Sequence, residues 1–579
     1  MATKLGKRLS MLPAGESQDE FVHQPASIFT NEDESIYALP PTEKQLQAQS
    51  SKSQCSFFIV IACLFFGTFL VALDTTIIGT ATPAITTEFH SLNDIAWYGS
   101  GYLLTLTALQ PAFGKLFMIW DTKGIYLVCV VVFEVGSILC AAAPSSKIFI
   151  IGRAVQGIGA AGILQGALVI ITRTVPLQKR PFYISVVISA FGLCVKIGPL
   201  LGGTFTDHVS WRWCFWINVP IGGVVILLLA VFLRLDSNPE NEDLASRPGM
   251  QKLKSLDLPG MTLIICSIIS LLLALQWGGQ TLPWNDSKII GLLVGAGLMF
   301  ILFLLVQWYM GSDATLPFDI LLQRSILSGA VYLLAIAMPT YVYGYYIPIY
   351  FQSVTGTTAL RSGINFLALA LPQVGFTVLS GWLASKFGYY TPYIISGTAI
   401  SLVGSGLLTL LSPNTALGTW VAYFLVIALG TGIAINHPYT AVQTVLEERC
   451  VPVGNAIMQF TFSLGGALSL CIAQPVFTTR LKSAIIKRLP GVPVDSVIGA
   501  GAYGVKDLFK GNEKALGEVK LAYTEALRDV FIFALVAGGV ALVLSFGFEH
   551  VNLKVVAGKR GQSEKLGEGR DGAGEKGVV

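Results

Sequence analysis

This sequence predicts an all-α, polytopic membrane fold of about fourteen transmembrane helices. Three observations carry the expectation. First, only 12% of the 579 residues are charged while 53% are hydrophobic, against about 25% charged in a soluble domain; the mean hydropathy is +0.66. Second, apolar runs of about 20 residues, enough to span a hydrocarbon core of about 30 Å, recur along the chain. Third, the basic residues between those runs sort to alternate sides, as the positive-inside rule requires.

The runs start near Ser56, Ile95, Gly124, Ile148, Phe182, Trp213, Leu258, Ile289, Ser325, Ser362, Tyr389, Leu417, Val453 and Val530. With the N-terminus in the cytosol, the short inner loops hold Lys115, Lys123, Arg173, Lys179, Arg180, Arg234, Arg247, Lys252, Lys254, Arg324, Lys386 and Arg449. The short outer loops hold Lys147, Arg212, Lys288 and Arg361. An even number of spans then returns the C-terminus to the cytosol. Residues 1–54 are polar and expected to be a disordered cytosolic tail with no cleavable signal peptide. The Gly-, Lys- and Glu-rich residues 551–579 are expected to be a second such tail.

Two loops resemble each other. Gly114-Lys-Leu116 with Lys123-Gly124 follows span 2, and Gly381-Trp-Leu383 with Lys386 and Gly388 follows span 10. Duplicated halves are common in secondary transporters. The match implies a 6+2+6 arrangement: a six-helix bundle over 55–236, a cytosolic loop and two inserted helices over 237–311, and a second six-helix bundle over 312–550. A long outer loop is expected at about 480–527.

Ionisable groups inside apolar helices cost at least about 2.5–3.5 kcal/mol each at the bilayer centre, so they mark function or fixed pairing. Four stand out: Asp74 in span 1, Glu134 in span 3, Arg153 in span 4 and Lys196 in span 5. Two acids and two bases balance. Burial favours the neutral form of a carboxyl and a nearby cation favours the charged form. A carboxyl whose surroundings alternate can therefore load and release a proton. Asp74 and Glu134 are the candidate proton carriers, with Arg153 as modulator; fixed ion pairs holding the bundle together are the competing reading. Lys196 has a substrate contact, a pairing with Glu134 or Asp74, and snorkelling as its possible roles.

In span 5, Gly192, Gly198, Pro199, Gly202 and Gly203 combine a proline kink with small residues that let helices approach closely, a candidate pivot. Span 9 is dense in tyrosine. An interfacial belt is one reading, and a cavity for flat apolar substrates is the other. Candidate cavity residues are Gln156, Lys196, Tyr346, Gln352, Gln443 and Gln459. His437 in span 12 is expected to be structural. The nine cysteines form no CxxC pair, and no metal or other cofactor is expected. No GK[ST] tripeptide, G-x-S-x-G or H-E-x-x-H occurs, which argues against nucleotide-driven transport and against enzymatic activity. No basic run with interleaved aromatics suggests nucleic-acid binding. Asn285-Asp-Ser287 is a glycosylation sequon on an outer loop, close to the membrane.

Three segments resemble the major facilitator superfamily, in its fourteen-spanner drug:proton antiporter branch and, within that, fungal toxin and multidrug efflux pumps. Residues 73–83 (LDTTIIGTATP) are similar to the branch's LDxTIVxxALP. Residues 153–161 (RAVQGIGAA) match RxxQGxGaa, whose arginine the family links to proton transfer. Residues 192–203 (GLCVKIGPLLGG) match the antiporter pattern GxxxxxGPxxGG. The stretches 207–213, 218–223, 275–279 and 346–352 also look like the fungal efflux group. Two places depart from the pattern. Met118 and Asp121 replace the acid and the second glycine of the loop after span 2, and Lys196 stands where a small or apolar residue is usual. The resemblance implies a monomeric plasma-membrane pump exporting a small organic metabolite, toxin or drug against protons by alternating access. A vacuolar location, a transporter-derived sensor, and an importer of a nutrient or metal chelate are the alternatives.

Overall fold

The computed structural model describes residues 43–91, 94–235, 257–278, 282–311, 314–490, 492–494, 496–497, 509, 512–560 and 562. Fourteen helices among them are long and apolar enough to cross a membrane. Their main helices are α1 (Glu43–Phe89), α2 (Ile95–Ile119), α3 (Thr122–Ala141), α4 (Ser146–Thr174), α5 (Arg180–His208), α6 (Asn218–Phe232, in a span that begins at Trp213) and α7 (Leu258–Trp277). The series continues with α8 (Ser287–Met310), α9 (Arg324–Ile349), α10 (Ala359–Phe387), α11 (Thr391–Leu408), α12 (Leu417–Ala434), α13 (Val451–Arg488) and α14 (Glu513–Ser545). Two isolated bridges are the only β-type pairings among the described residues. The physical cause is the solvent. In lipid an unpaired backbone N–H or C=O costs several kcal/mol, so each apolar run closes its own hydrogen bonds as a helix.

Short polar side chains start several helices. Asp121 caps α3 by accepting from the Gly124 N–H at 2.7 Å, and Asp286 caps α8 by accepting from the Lys288 N–H at 2.8 Å. The departure at Asp121 thus serves as an N-cap. Pro438 breaks span 12: α12 stops at Ala434 and resumes as His437–Val445, because proline has no N–H for the helix ladder.

The inserted pair docks on the first half. Ser267 of α7 donates to the Ala296 carbonyl of α8 at 2.8 Å, and Gln276 of α7 donates to Ser100 of α2 at 2.8 Å. One buried acid at the edge of an apolar run holds this pair. Asp257 accepts from the Gly260 N–H (2.7 Å), Gln307 Nε2 (2.5 Å), the Thr315 N–H (3.0 Å) and Thr315 Oγ1 (3.0 Å), tying α7 to α8 and to the turn before α9. Asp257→Ala strands these donors, so it is expected to destabilise the fold by about 1–3 kcal/mol. Thermal unfolding in detergent measures it, and an unchanged Tm would contradict the assignment.

Three expected segments differ from the sequence expectation. The outer loop expected at 480–527 is helical as far as Arg488 and again from Glu513, so α14 starts well before Val530. These extensions are amphipathic. Val519, Ala522, Tyr523, Ala526 and Leu527 form a buried stripe. Arg488 pairs with Glu518 (2.9 Å) and Glu525 (2.5 Å), and Arg480 with Asp529 (3.2 Å). A search for apolar runs stops where charges begin, although charges paired between two helices continue the helix. Likewise, the tail expected from 551 begins as a helix over 553–560. At the other end α1 starts at Glu43, inside the expected 1–54 tail. Residues 1–42 and 563–579 lie outside the described residues.

The two halves meet at the end of the bundle where α1 enters it and the chain continues beyond α14, here called the termini face. Gln165 donates to the Pro452 carbonyl (2.5 Å), Arg180 to Glu448 (2.6 Å), and the Phe182 N–H to Ser385 (3.3 Å). Gly114 and Gly381 permit the contact: a Cβ at Gly114 would lie 3.2 Å from the Pro452 carbonyl oxygen, and one at Gly381 2.6 Å from that of Pro181.

Candidate coupling site in the first half

The R-x-x-Q spacing places Arg153 and Gln156 on one face of α4, about one turn apart. That face meets Asp74 of α1. The side chains of Asp74 and Gln156 are fully buried, and Arg153 is 1% exposed. Arg153 Nη1 donates to Asp74 Oδ2 and, at 2.9 Å, to Gln156 Oε1, while its Nε donates to the Tyr98 carbonyl at 2.8 Å. Gln156 Nε2 donates to Asp74 Oδ1 (2.8 Å) and Ser137 Oγ (2.8 Å). Asn218 of α6 donates to the same Ser137 at 3.2 Å. The guanidinium stands 4.5 Å from the centre of the Tyr102 ring, within cation–π range. A buried charge is tolerable only when paired and hydrogen-bonded, and this cluster meets both conditions.

Glycines on α4 and α3 let the helices close around the cluster. A Cβ at Gly159 would lie 2.6 Å from the Cys129 carbonyl oxygen of α3, and one at Gly136 2.7 Å from Gln156 Cα. Glu134, one turn before Ser137 on α3, is 7% exposed and lies against Gly222 of α6. Neither of its carboxyl oxygens has a hydrogen-bond partner among the described residues. The two acids therefore have different settings: Asp74 is salt-bridged, and Glu134 is buried with no ion pair among the described residues.

The major facilitator superfamily model matches residues 64–470, a stretch containing this whole cluster. The chain belongs to the major facilitator superfamily. Its relatives include "Efflux pump aflT" of Aspergillus parasiticus, 39% identical over 88% of this chain and 99% of that one. The "Aspyridones efflux protein" of Neocamarosporium betae is 41% identical over 85% and 86%. Among solved structures, the proton:xylose symporter XylE aligns over 87% of this chain and 99% of its own, with TM-score 0.54 and 13% identity. The human organic anion transporter MFSD10 aligns over 83% and 99%, with TM-score 0.52 and 13% identity. These two likenesses bear on the fold alone. The protein is thus a membrane transporter, not an enzyme.

Within this superfamily member, the span 5 glycines divide their contacts. Gly198 and Gly202 press on Thr76, Ile77 and Thr80 of α1, Gly192 faces Val374 of α10 in the other half, and Gly203 has open space. Pro199 lies inside α5 between them. The residues expected at a cavity fall in different settings. The Gln156 amide is consumed by the charge cluster. Tyr346 is fully buried, donating to Gln474 (3.2 Å) and packing on Phe477. Gln443 is fully buried in the continuation of α12. Gln352 is half-buried just after α9. Gln459 is half-buried on α13 and accepts from Tyr439 at 2.9 Å. Lys196 lies on α5, and its side chain is outside the described residues, so its expected contacts are too. Asn285 is exposed two residues before α8. His437 is buried and stacks on Tyr393.

The motifs gave no role to Ser137, Asn218 or Asp257, although Asn218 opens the 218–223 stretch. The available signal was weak: single polar residues within or beside apolar runs, with nothing to say which helix each one faced.

Proposed function

We propose that this transporter exports a small, flat organic metabolite in exchange for protons by alternating access. The carrying observation is the buried Asp74–Arg153–Gln156 cluster: a carboxylate held by a guanidinium inside apolar helices, where each charge is costly unless it is used or paired. Asp74 takes the proton, Arg153 sets how tightly, and Glu134 is a second protonatable site. Gly198, Pro199 and Gly202 form the pivot against α1. The substrate meets the half-buried Tyr341, Gln459, Phe462 and Ser463 between the halves. The efflux names carried by relatives at about 40% identity support the direction of transport and the metabolite class. The loop charges support an orientation with both termini in the cytosol, and the plasma membrane is the proposed location.

Reconstituted protein tests this, with rhodamine 6G as the transported probe and lumenal pyranine reporting protons. An imposed pH gradient is expected to raise dye accumulation at least tenfold, with matching proton counterflow, and nigericin to abolish both. Glu134→Gln is expected to slow gradient-driven transport severalfold. Dye movement indifferent to nigericin would reject proton exchange. Full gradient-driven transport in both Asp74→Asn and Glu134→Gln would reject these two carriers.

A further inference from the structure

Beyond the coupling site, the residues after α14 form a strap across the second half at the termini face. Phe548 packs edge-on against Tyr332 of α9, and the Glu549 N–H donates to Ser325 at 3.2 Å. Thr391 of α11 donates to the Glu549 carbonyl (2.9 Å), and His550 stacks 4.8 Å from Tyr389. The Leu553 N–H then donates to the Gly388 carbonyl at 2.8 Å. Gly388 has φ +82°, a left-handed helix end that suits glycine.

The strap ends at Arg560. Its guanidinium donates to the carbonyls of Gln443 (3.4 Å), Thr444 (3.0 Å) and Leu446 (2.8 Å). Those are the last carbonyls of span 12, which have no helical partner and carry the negative end of the helix dipole. Only two residues further on, Glu448 accepts from Arg180 across the boundary between the halves. Arg180 is itself fixed, since its buried side chain also donates to the Val175 carbonyl at 2.8 Å. Two arginines thus converge on the 443–448 segment: one from the strap of the second half, one from the first half.

We infer that Arg560 is a positioning residue for the gate at the termini face: by fixing the end of span 12 it aims Glu448 at Arg180 and holds that face closed. Opening the face requires breaking the Arg180–Glu448 pair, and a loose 443–448 segment would present Glu448 less often. The arginine fork suits the task because several donors can engage several carbonyls at once, which a lysine ammonium matches poorly. This inference rests on the alternating-access reading.

Hydrogen–deuterium exchange on the full-length protein in detergent tests it. The readout is exchange in 112–118 and 452–457, where the halves meet. Arg560→Ala is expected to speed exchange there at least threefold, with α11 unchanged as a check on folding, and Arg560→Lys to restore only part of the protection. Combined with Glu448→Gln, it is expected to add nothing to the effect of Glu448→Gln alone. Acceleration confined to 388–391 and 443–446 would overturn the gate role, as would full additivity. Wild-type exchange that ignores both rhodamine 6G and pH, alongside faster exchange in Arg560→Ala, would retain the strap contact and reject alternating access instead.

Discussion

Replacing Arg153 with alanine is expected to cost about 3–5 kcal/mol of fold stability and to abolish gradient-driven transport. The guanidinium ties Asp74, Gln156 and the Tyr98 carbonyl together over the Tyr102 ring. Its removal leaves a fully buried carboxylate with only the Gln156 amide among the described residues. Asp74→Asn, which keeps a neutral polar group of the same shape, is expected to cost less in stability yet still to uncouple dye movement from protons. The double variant Asp74→Ala/Arg153→Ala is expected to regain much of the stability lost in Arg153→Ala, because no charge is left stranded, without regaining coupling. Thermal unfolding in detergent and the pyranine assay read the two effects separately. An Arg153→Ala protein with wild-type Tm and wild-type counterflow would contradict both parts.

The second large effect is steric. Gly159→Val is expected to prevent accumulation of folded protein, or to lower stability by ~3 kcal/mol or more, since overpacking a tight core commonly costs about 1–3 kcal/mol and here the obstacle is backbone. Even a bare Cβ at this position would lie 2.6 Å from the Cys129 carbonyl oxygen and 2.7 Å from Phe133 Cα. Backbone cannot swing aside as a side chain can, so α3 and α4 would have to separate and the charge cluster between them would open. Gly203→Val, on the same chain but with nothing within 4 Å of an added Cβ, is the control expected to fold normally. Equal yields of monodisperse protein from the two variants would refute the close-packing role assigned to Gly159.

The first half of the site was readable because motif spacing and helix period agree. Arg153 and Gln156 recur at three residues, and their glycine neighbours at 157 and 159 fall where α2 and α3 pass. Asp74 stood out as a charge in lipid. What spacing could not convey is which acid meets which base. Balance alone allowed Arg153 to face Asp74 or Glu134, and packing gives it to Asp74 while Glu134 lies against Gly222. The cavity residues were hardest, because an amide in an apolar helix looks the same whether it faces a substrate or a neighbouring side chain. Gln156 and Gln459 differ only in what folding brought beside them.

By itself, then, the sequence determined the fourteen-helix bundle, for the reason the charge depletion and run lengths first suggested: lipid leaves the backbone no partner but its own helix. It also determined the family motifs and the candidate charges. Tertiary structure alone decided the Asp74–Arg153 pairing, the helical extensions joined by Arg488, the Asp257 clasp on the inserted pair and the Arg560 strap. Each of those depends on side chains tens to hundreds of residues apart meeting at hydrogen-bond distance. Local propensity and hydropathy act along the chain and cannot specify such a meeting; only the packing of helix against helix does.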